Sequence, residues 1–291
     1  MQRKIAQIVD SAGSIPREIL KKYHIREVAF HINFGGQQQY REHINISSQE
    51  FYLRMKDQPD RIPKTSIPGV AEWTQAFEEK YAEGYRDLIV TTIGKALSSS
   101  FQSATMAANA FSKGHPDAKI EVVESNTCAC GQAALEIKIA QLIEQGQMVT
   151  GELVKRVREL LPGVVSLFSV NELTYMRAGG RIGGAAAFLG KLINIKPVCE
   201  FWGGVVRPIK PVRCRKKALQ LLVDEAVKRI KQAEEAVICV QHALCEEDAD
   251  YLVTQLRERL NFNGPIYLSP VGAVIGAHSG PGAIGIGIAE G

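Results

Sequence analysis

The chain has 291 residues, which at roughly 150 residues per domain favours two domains or one large one. Hydrophobic residues make up 45% and charged residues 23%, which excludes a largely disordered chain and allows a sizeable core without disulfides or metals. A net charge of +4 is too small to imply a nucleic-acid partner.

The first half alternates expected strands and helices. An apolar run over 5–9 reads as a strand and ends in Asp10-Ser11-Ala12-Gly13. Pro16 suits a first helical turn, and the helix it opens runs to about Tyr23. Residues 28–34 read as a second strand, closed by Gly35-Gly36. Ser47 and Glu50 have the spacing of a capping box for a helix to about Lys56. Lys64-Thr65-Ser66-Ile67-Pro68 reads as a loop leading into a helix to about Glu83. Strands are expected over 87–92 and 119–123, and helices over 96–111, 129–145 and 150–161. Strands separated by such helices point to an α/β fold with an open, mostly parallel N-terminal sheet and flanking helices.

Pro162-Gly163 breaks this pattern. It divides the chain into an N-terminal α/β domain over 1–162 and a second α/β domain over 163–291, with a mixed or antiparallel sheet. The second half carries an expected strand over 164–170, a short helix over 172–177, a glycine-rich turn over 179–184 and a helix over 188–192. Residues 196–202 and 205–212 form a hairpin around Gly203-Gly204. A basic helix over 215–232, a strand over 236–241 and a helix over 246–260 follow, then strands over 265–269 and 273–277 and a glycine-rich apolar end. No apolar run approaches the roughly 18–20 residues that span a bilayer, so no integral membrane contact is expected. The opening run is too short for a signal peptide, and six cysteines are too sparse for a disulfide framework. The expectation is a cytoplasmic protein with reduced thiols.

Several familiar chemistries are missing. Gly184 to Gly190-Lys191 has one residue too many for a P-loop, and Leu192 stands where a hydroxyl is needed. No Gly-x-Gly-x-x-Gly follows the first strand, and no Gly-x-Ser-x-Gly elbow occurs. Cys128-x-Cys130 lacks metal or redox spacing and reads as small buried side chains at a helix start. No cofactor and no metal are expected. Hydroxyls do cluster at strand ends: Ser11 after Asp10, Ser98-Ser99-Ser100, and Ser125-Asn126-Thr127, with Thr65-Ser66 within reach. Each alone reads as a helix cap. Together they converge on the carboxyl edge of a parallel sheet, where ligands bind, and suggest a polar site for an anion. His278-Ser279-Gly280-Pro281-Gly282 puts a histidine beside glycines that allow close backbone approach, and Arg181 follows Gly179-Gly180 on a turn. Arg213, Arg215, Lys216 and Lys217 read as a solvated basic face or a dock for an acidic partner.

In order along the chain, these segments resemble the DegV family, whose members bind fatty acids. Ile8-Val9-Asp10-Ser11-Ala12 is similar to the family's Val-Thr-Asp-Ser opening, with Val9 where Thr is usual. Thr65-Ser66-Ile67-Pro68 matches its Thr-Ser-x-Pro, and Leu97 to Ala104 resembles its Leu-Ser-Gly-Thr-Tyr-x-Ser-Ala. Glu124-Ser125 with Gly131, Gly179-Gly180-Arg181-Ile182, Asn194-Ile195-Lys196-Pro197 and His278-Ser279-Gly280-Pro281-Gly282 continue the series. Gly94-Lys95 departs from it, standing where two serines are usual.

The resemblance implies a carrier, not an enzyme, that buries the acyl chain of a long-chain fatty acid between the two domains. Some family members present the carboxylate to a separate dihydroxyacetone-kinase-like fatty acid kinase subunit, which phosphorylates it. On that pattern Thr65, Ser98 and His278 hold the carboxylate, Ser66, Ser99 and Ser279 sit beside them, and Arg181 meets the kinase subunit. Ser11 and Ser125 are lesser candidates for lining the polar end. The alternative is a serine/histidine hydrolase or acyl transferase acting on a lipid-like substrate. Against it, no acidic residue near His278 suggests the orienting member of a triad.

Overall fold

The computed structural model describes residues 5–58, 61–189 and 195–291. Gly190, Lys191, Leu192 and Asn194 lie outside the described residues. The first half runs β1 (Ile5–Asp10), α1 (Arg17–Lys22), β2 (Arg26–Val28), β3 (His31–Asn33), β4 (Gln39–Arg41), α2 (Ser48–Asp57), β5 (Lys64–Ser66), α3 (Val70–Ala82), β6 (Asp87–Thr92), α4 (Ser100–Gly114), β7 (Lys119–Glu124), α5 (Ala129–Gln145) and α6 (Thr150–Leu160). The second half runs β8 (Val165–Ser169), α7 (Thr174–Ala178), β9 (Lys196–Trp202), β10 (Val205–Val212), α8 (Arg215–Arg229), β11 (Val237–His242), α9 (Glu246–Leu260), β12 (Ile266–Pro270), α10 (Ala273–Ser279) and β13 (Ile284–Ala289).

The expected fold class holds. The first sheet is parallel throughout, in the order β2-β1-β6-β7. Its two middle strands, β1 and β6, are buried on both faces, as their apolar runs require. Ala6, Ile8, Leu88 and Val90 face α3 and α4, where Trp73, Phe77 and Phe111 complete the core. Ile5 and Ile89 face the other way, onto Leu135 and Ile139 of α5 and Leu153 and Val157 of α6. The second sheet is mixed, in the order β10-β9-β8-β13-β11-β12, with only β11 and β12 parallel. A small antiparallel sheet, β4-β3-β5, stands beside them.

One helix joins the two large sheets. Almost every α5 residue from Cys130 to Ile143 is buried, as expected of a helix covered on both sides. Leu135, Ile139 and Leu142 meet the first sheet. Cys130, Ala133, Ala134 and Ile137 pack with Val237, Cys239 and Ala289 of the second. On β13 the isoleucines of Ile284-Gly285-Ile286-Gly287-Ile288 pack with α8 and α9. Its glycines lie under the start of α5: a Cβ at Gly287 would collide with the Cys130 carbonyl.

Several expected elements change. The single strand over 28–34 is β2 and β3, separated where the Phe30 N–H donates to Ser11 Oγ at 3.0 Å instead of continuing a ladder. The loop at Lys64–Ser66 is β5. The helix expected over 96–111 begins at Ser100. Gly183–Phe188 is 3₁₀-helical, and the expected helix over 188–192 ends outside the described residues. The strand over 273–277 is α10, and the apolar end is the central strand β13. Small residues such as Ala273 and Gly276 suit either state. Distant caps select the helix: Ser14 Oγ accepts from Gly272 N–H at 2.9 Å, and Glu42 Oε1 accepts from Val274 N–H at 2.9 Å. Among the described residues no helix is long and apolar enough to cross a membrane.

Candidate functional site

The carboxyl end of β6 opens a loop, residues 93–99, over a cavity of about 340 Å³. Its walls are mainly apolar: Phe30, Ile67, Ile93, Leu97, Phe168, Met176, Phe201, Val274 and Ile275 among them. Thr65, Ser66, Ser98, Ser99, Arg181, His278 and Ser279 supply the polar lining at β5, the β6–α4 loop, the turn after α7 and the end of α10. Thus residues far apart in sequence, proposed from motifs alone, share one cavity. Ser11 and Ser125 do not line it. The Ser11 hydroxyl donates to Glu42 and accepts from Phe30 N–H, while Ser125 Oγ donates to the Thr127 carbonyl at 3.0 Å. Both serve the backbone and core beneath the site, as capping residues do.

Thr65 Oγ1 and His278 Nε2 lie 2.9 Å apart. Desolvation, with a smaller push from the Arg181 charge, lowers the His278 pKa to about 4. The imidazole is therefore neutral at neutral pH. With its proton on Nε2 it donates to Thr65 and leaves the threonine hydroxyl hydrogen free for a ligand. Nδ1 is buried without a hydrogen-bond partner. It rests against Gly179, where any Cβ would collide with the ring. That contact explains the first glycine of Gly179-Gly180-Arg181. Ser279 Oγ is also buried and unpartnered.

Arg181 is exposed. Its Nε donates to the Leu97 carbonyl at 3.1 Å and Nη1 to the Gly179 carbonyl at 2.6 Å, which holds the guanidinium beside the polar residues. Ser98 Oγ accepts from Ser100 N–H at 3.3 Å. Ser66 is exposed and its Oγ accepts from Gln39 Nε2 at 3.2 Å. Ser99 is exposed at the N-cap of α4 and makes no side-chain cap bond. Lys95 brings no charge into the cavity. Its Nζ pairs with Glu124 at 3.0 Å and lies 3.9 Å from the Phe101 ring centre. Gly94 has a tight neighbour, since a Cβ there would sit 3.2 Å from the backbone of Asn126 and Thr127.

Sequence reasoning did not single out Ser166 and Gln241, which also line the cavity. Gln241 lies across the sheet from Gly285 of β13, and Ser166 from Gly287 of the same strand. Only the strand register brings them together, so no local motif marks them. Cys128 and Cys130 line the cavity at the start of α5 as buried thiols. Desolvation pushes Cys130 up to about 12 and Cys128 upward as well. Both are neutral, small and unreactive. Among the described residues no group of three or more His, Cys, Asp or Glu is arranged to hold a metal.

Residues 4–291 match the model of the DegV family, described as "Uncharacterised protein, DegV family". A DegV domain-containing protein of Clostridium perfringens, CPE0304, is 30% identical over 285 residues, covering 97% of this chain and 98% of the relative. A fatty acid (stearic acid)-binding protein of Eubacterium ventriosum superposes with a TM-score of 0.89 at 26% identity, over 99% of this chain and 98% of that one. DegV of Bacillus subtilis, a fatty acid binding protein, superposes with a TM-score of 0.84 at 29% identity over 100% of both chains. The chain belongs to the DegV family.

Proposed function

We propose that this protein binds a long-chain fatty acid, burying the acyl chain in the apolar cavity and holding the carboxylate at Thr65, Ser98 and His278. The observation that carries the reading is an apolar cavity whose polar residues include a neutral threonine–histidine pair. A buried methylene contributes about 0.8 kcal/mol. About fourteen of them contribute roughly 11 kcal/mol before the cost of ordering the chain. Apolar burial alone therefore suffices for tight binding. The fatty-acid-binding relatives from Eubacterium ventriosum and Bacillus subtilis support the same ligand class. The cavity draws residues from both sides of Pro162-Gly163, consistent with two domains, 1–162 and 163–291, closing on the ligand.

The finer part of the reading is presentation to a separate kinase subunit. Neutral donors hold a carboxylate without quenching it, which leaves its oxygen nucleophilic toward a phosphoryl group supplied by the partner. A buried lysine would pair with it and suppress attack. Arg181, exposed and fixed beside the polar residues, is placed to meet that partner. The hydrolase alternative fares worse. His278 Nε2 is shared with Thr65, and Nδ1 faces Gly179 instead of a carboxylate, so no group holds the ring as a triad base.

Mass spectrometry of an organic extract of the purified protein tests the ligand, and a stoichiometric fatty acid is expected. Ser98→Ala and His278→Ala are expected to lose most of it while remaining folded. Arg181→Ala is expected to retain the lipid and to lose phosphorylation by the kinase subunit. Wild-type retention in both site variants would displace the proposed carboxylate site.

A further inference from the structure

Behind the polar loop lies a carboxylate that never reaches the cavity. Asp10, at the end of β1, is 1% exposed. Its Oδ2 accepts from Ile93 N–H at 3.0 Å and from the Ser100 hydroxyl at 2.7 Å. Its Oδ1 accepts from Gln132 Nε2 at 2.8 Å and from Ala12 N–H at 3.3 Å. Ile93 and Ser100 bracket residues 94–99, the stretch that carries Ser98 and the Leu97 carbonyl on which Arg181 rests. The loop is pinned at both ends by one oxygen atom.

We propose that Asp10 is a positioning residue for the carboxylate site: through Ile93 and Ser100 it fixes the loop that presents Ser98 and seats Arg181. The inference rests on the fatty-acid reading of the cavity. Filling space alone does not call for a carboxylate here. Burial penalises its charge and raises its pKa to about 6, a cost that a leucine would avoid. What the carboxylate supplies is acceptor capacity: four donors converge on two oxygens, and no neutral side chain of this size accepts from all four. The titratable groups that face Asp10 are Glu136 and Cys128 on the α5 side, both held toward their neutral forms by burial. The β6 end and α4 contribute a backbone N–H and a hydroxyl. Among the described residues no salt bridge involves Asp10. Its own proton is thus the variable that decides whether the loop keeps both anchors.

The test is binding of parinaric acid, a fluorescent long-chain fatty acid, by the delipidated full chain. Asp10→Asn keeps the shape but sets an amide donor against donors. Asp10→Asn and Ser100→Ala are each expected to weaken binding about tenfold, with thermal midpoints not lowered for Asp10→Asn. The double variant is expected to be no weaker than the weaker single, because both changes cut one connection. Between pH 7 and about pH 5.5 wild-type affinity should fall relative to that of Asp10→Asn, which keeps His278 and lacks the Asp10 proton. In the delipidated protein His278 titrates below that window. Wild-type affinity in Asp10→Asn, or additive losses in the double variant, would overturn the proposal. If Asp10→Asn does not fold, Ser100→Ala decides: a loss supports the proposal and unchanged affinity overturns it. A wild-type protein that binds no parinaric acid would instead overturn the fatty-acid reading itself.

Discussion

His278 and Thr65 share one hydrogen bond, and that pairing determines how the site responds to protons. The folded pKa of His278, about 4, lies below the ordinary 6.5. Between those values the unfolded chain binds a proton that the folded chain does not. Its contribution to stability is therefore full above pH 6.5 and is lost as pH falls toward 4. The difference corresponds to at most about 3 kcal/mol. His278→Gln, which cannot charge, is expected to flatten that part of the acid limb in denaturant titrations. NMR titration of the ring should give a midpoint near 4 in the delipidated protein. Loading with a fatty acid should move it upward, because a carboxylate beside the ring favours the imidazolium. A ring that titrates at an ordinary value without ligand would contradict the burial seen here. Asp10 has the opposite sign: its pKa rises from 3.8 to about 6, so its contribution falls as pH rises through that interval.

At the scale of elements, legibility follows the range of the interactions that decide each one. The hairpin of β9 and β10 was readable because Gly203 and Gly204 supply the positive φ angles, 58° and 82°, that a tight turn needs. Helix α9, Glu246–Leu260, announced itself by an acidic first turn and Arg257 and Arg259 in the last. Helix α10 was misread because its caps come from Ser14 and Glu42, more than 200 positions away. Strand β13 was overlooked because Gly285 and Gly287 look like loop residues until α5 is seen lying across them. The polar lining of the cavity was legible as motifs, whereas Ser11 and Ser125 look like ligand groups in sequence and serve the scaffold in three dimensions. The α5–β13 contact gives a sharp expectation. Gly287→Ala places a methyl group in the Cys130 backbone and should cost about 3 kcal/mol or more, read as a lower denaturation midpoint. Gly151→Ala, with open space around it in the first turn of α6, should stay within about 1 kcal/mol of wild type.

For the whole molecule, the arrangement separates two tasks. Helix α5, gripped between two sheets, makes a rigid back wall, and loops and short elements carry the polar residues. Ligand affinity then comes chiefly from apolar area, and ligand orientation from a few neutral donors. That division can be measured. If the carboxylate is fixed at Thr65, Ser98 and His278, each added methylene extends into the cavity and contributes about 0.8 kcal/mol, close to a fourfold gain in affinity. Competition against parinaric acid with saturated acids from decanoate to stearate should show that slope, then a break where the cavity is full. Thr65→Ala should shift the whole line to weaker binding and leave the slope unchanged, because it alters the fixed end and not the apolar walls. A flat series would place the chain on the surface, and a slope that changes with Thr65→Ala would mean that head and tail do not bind independently.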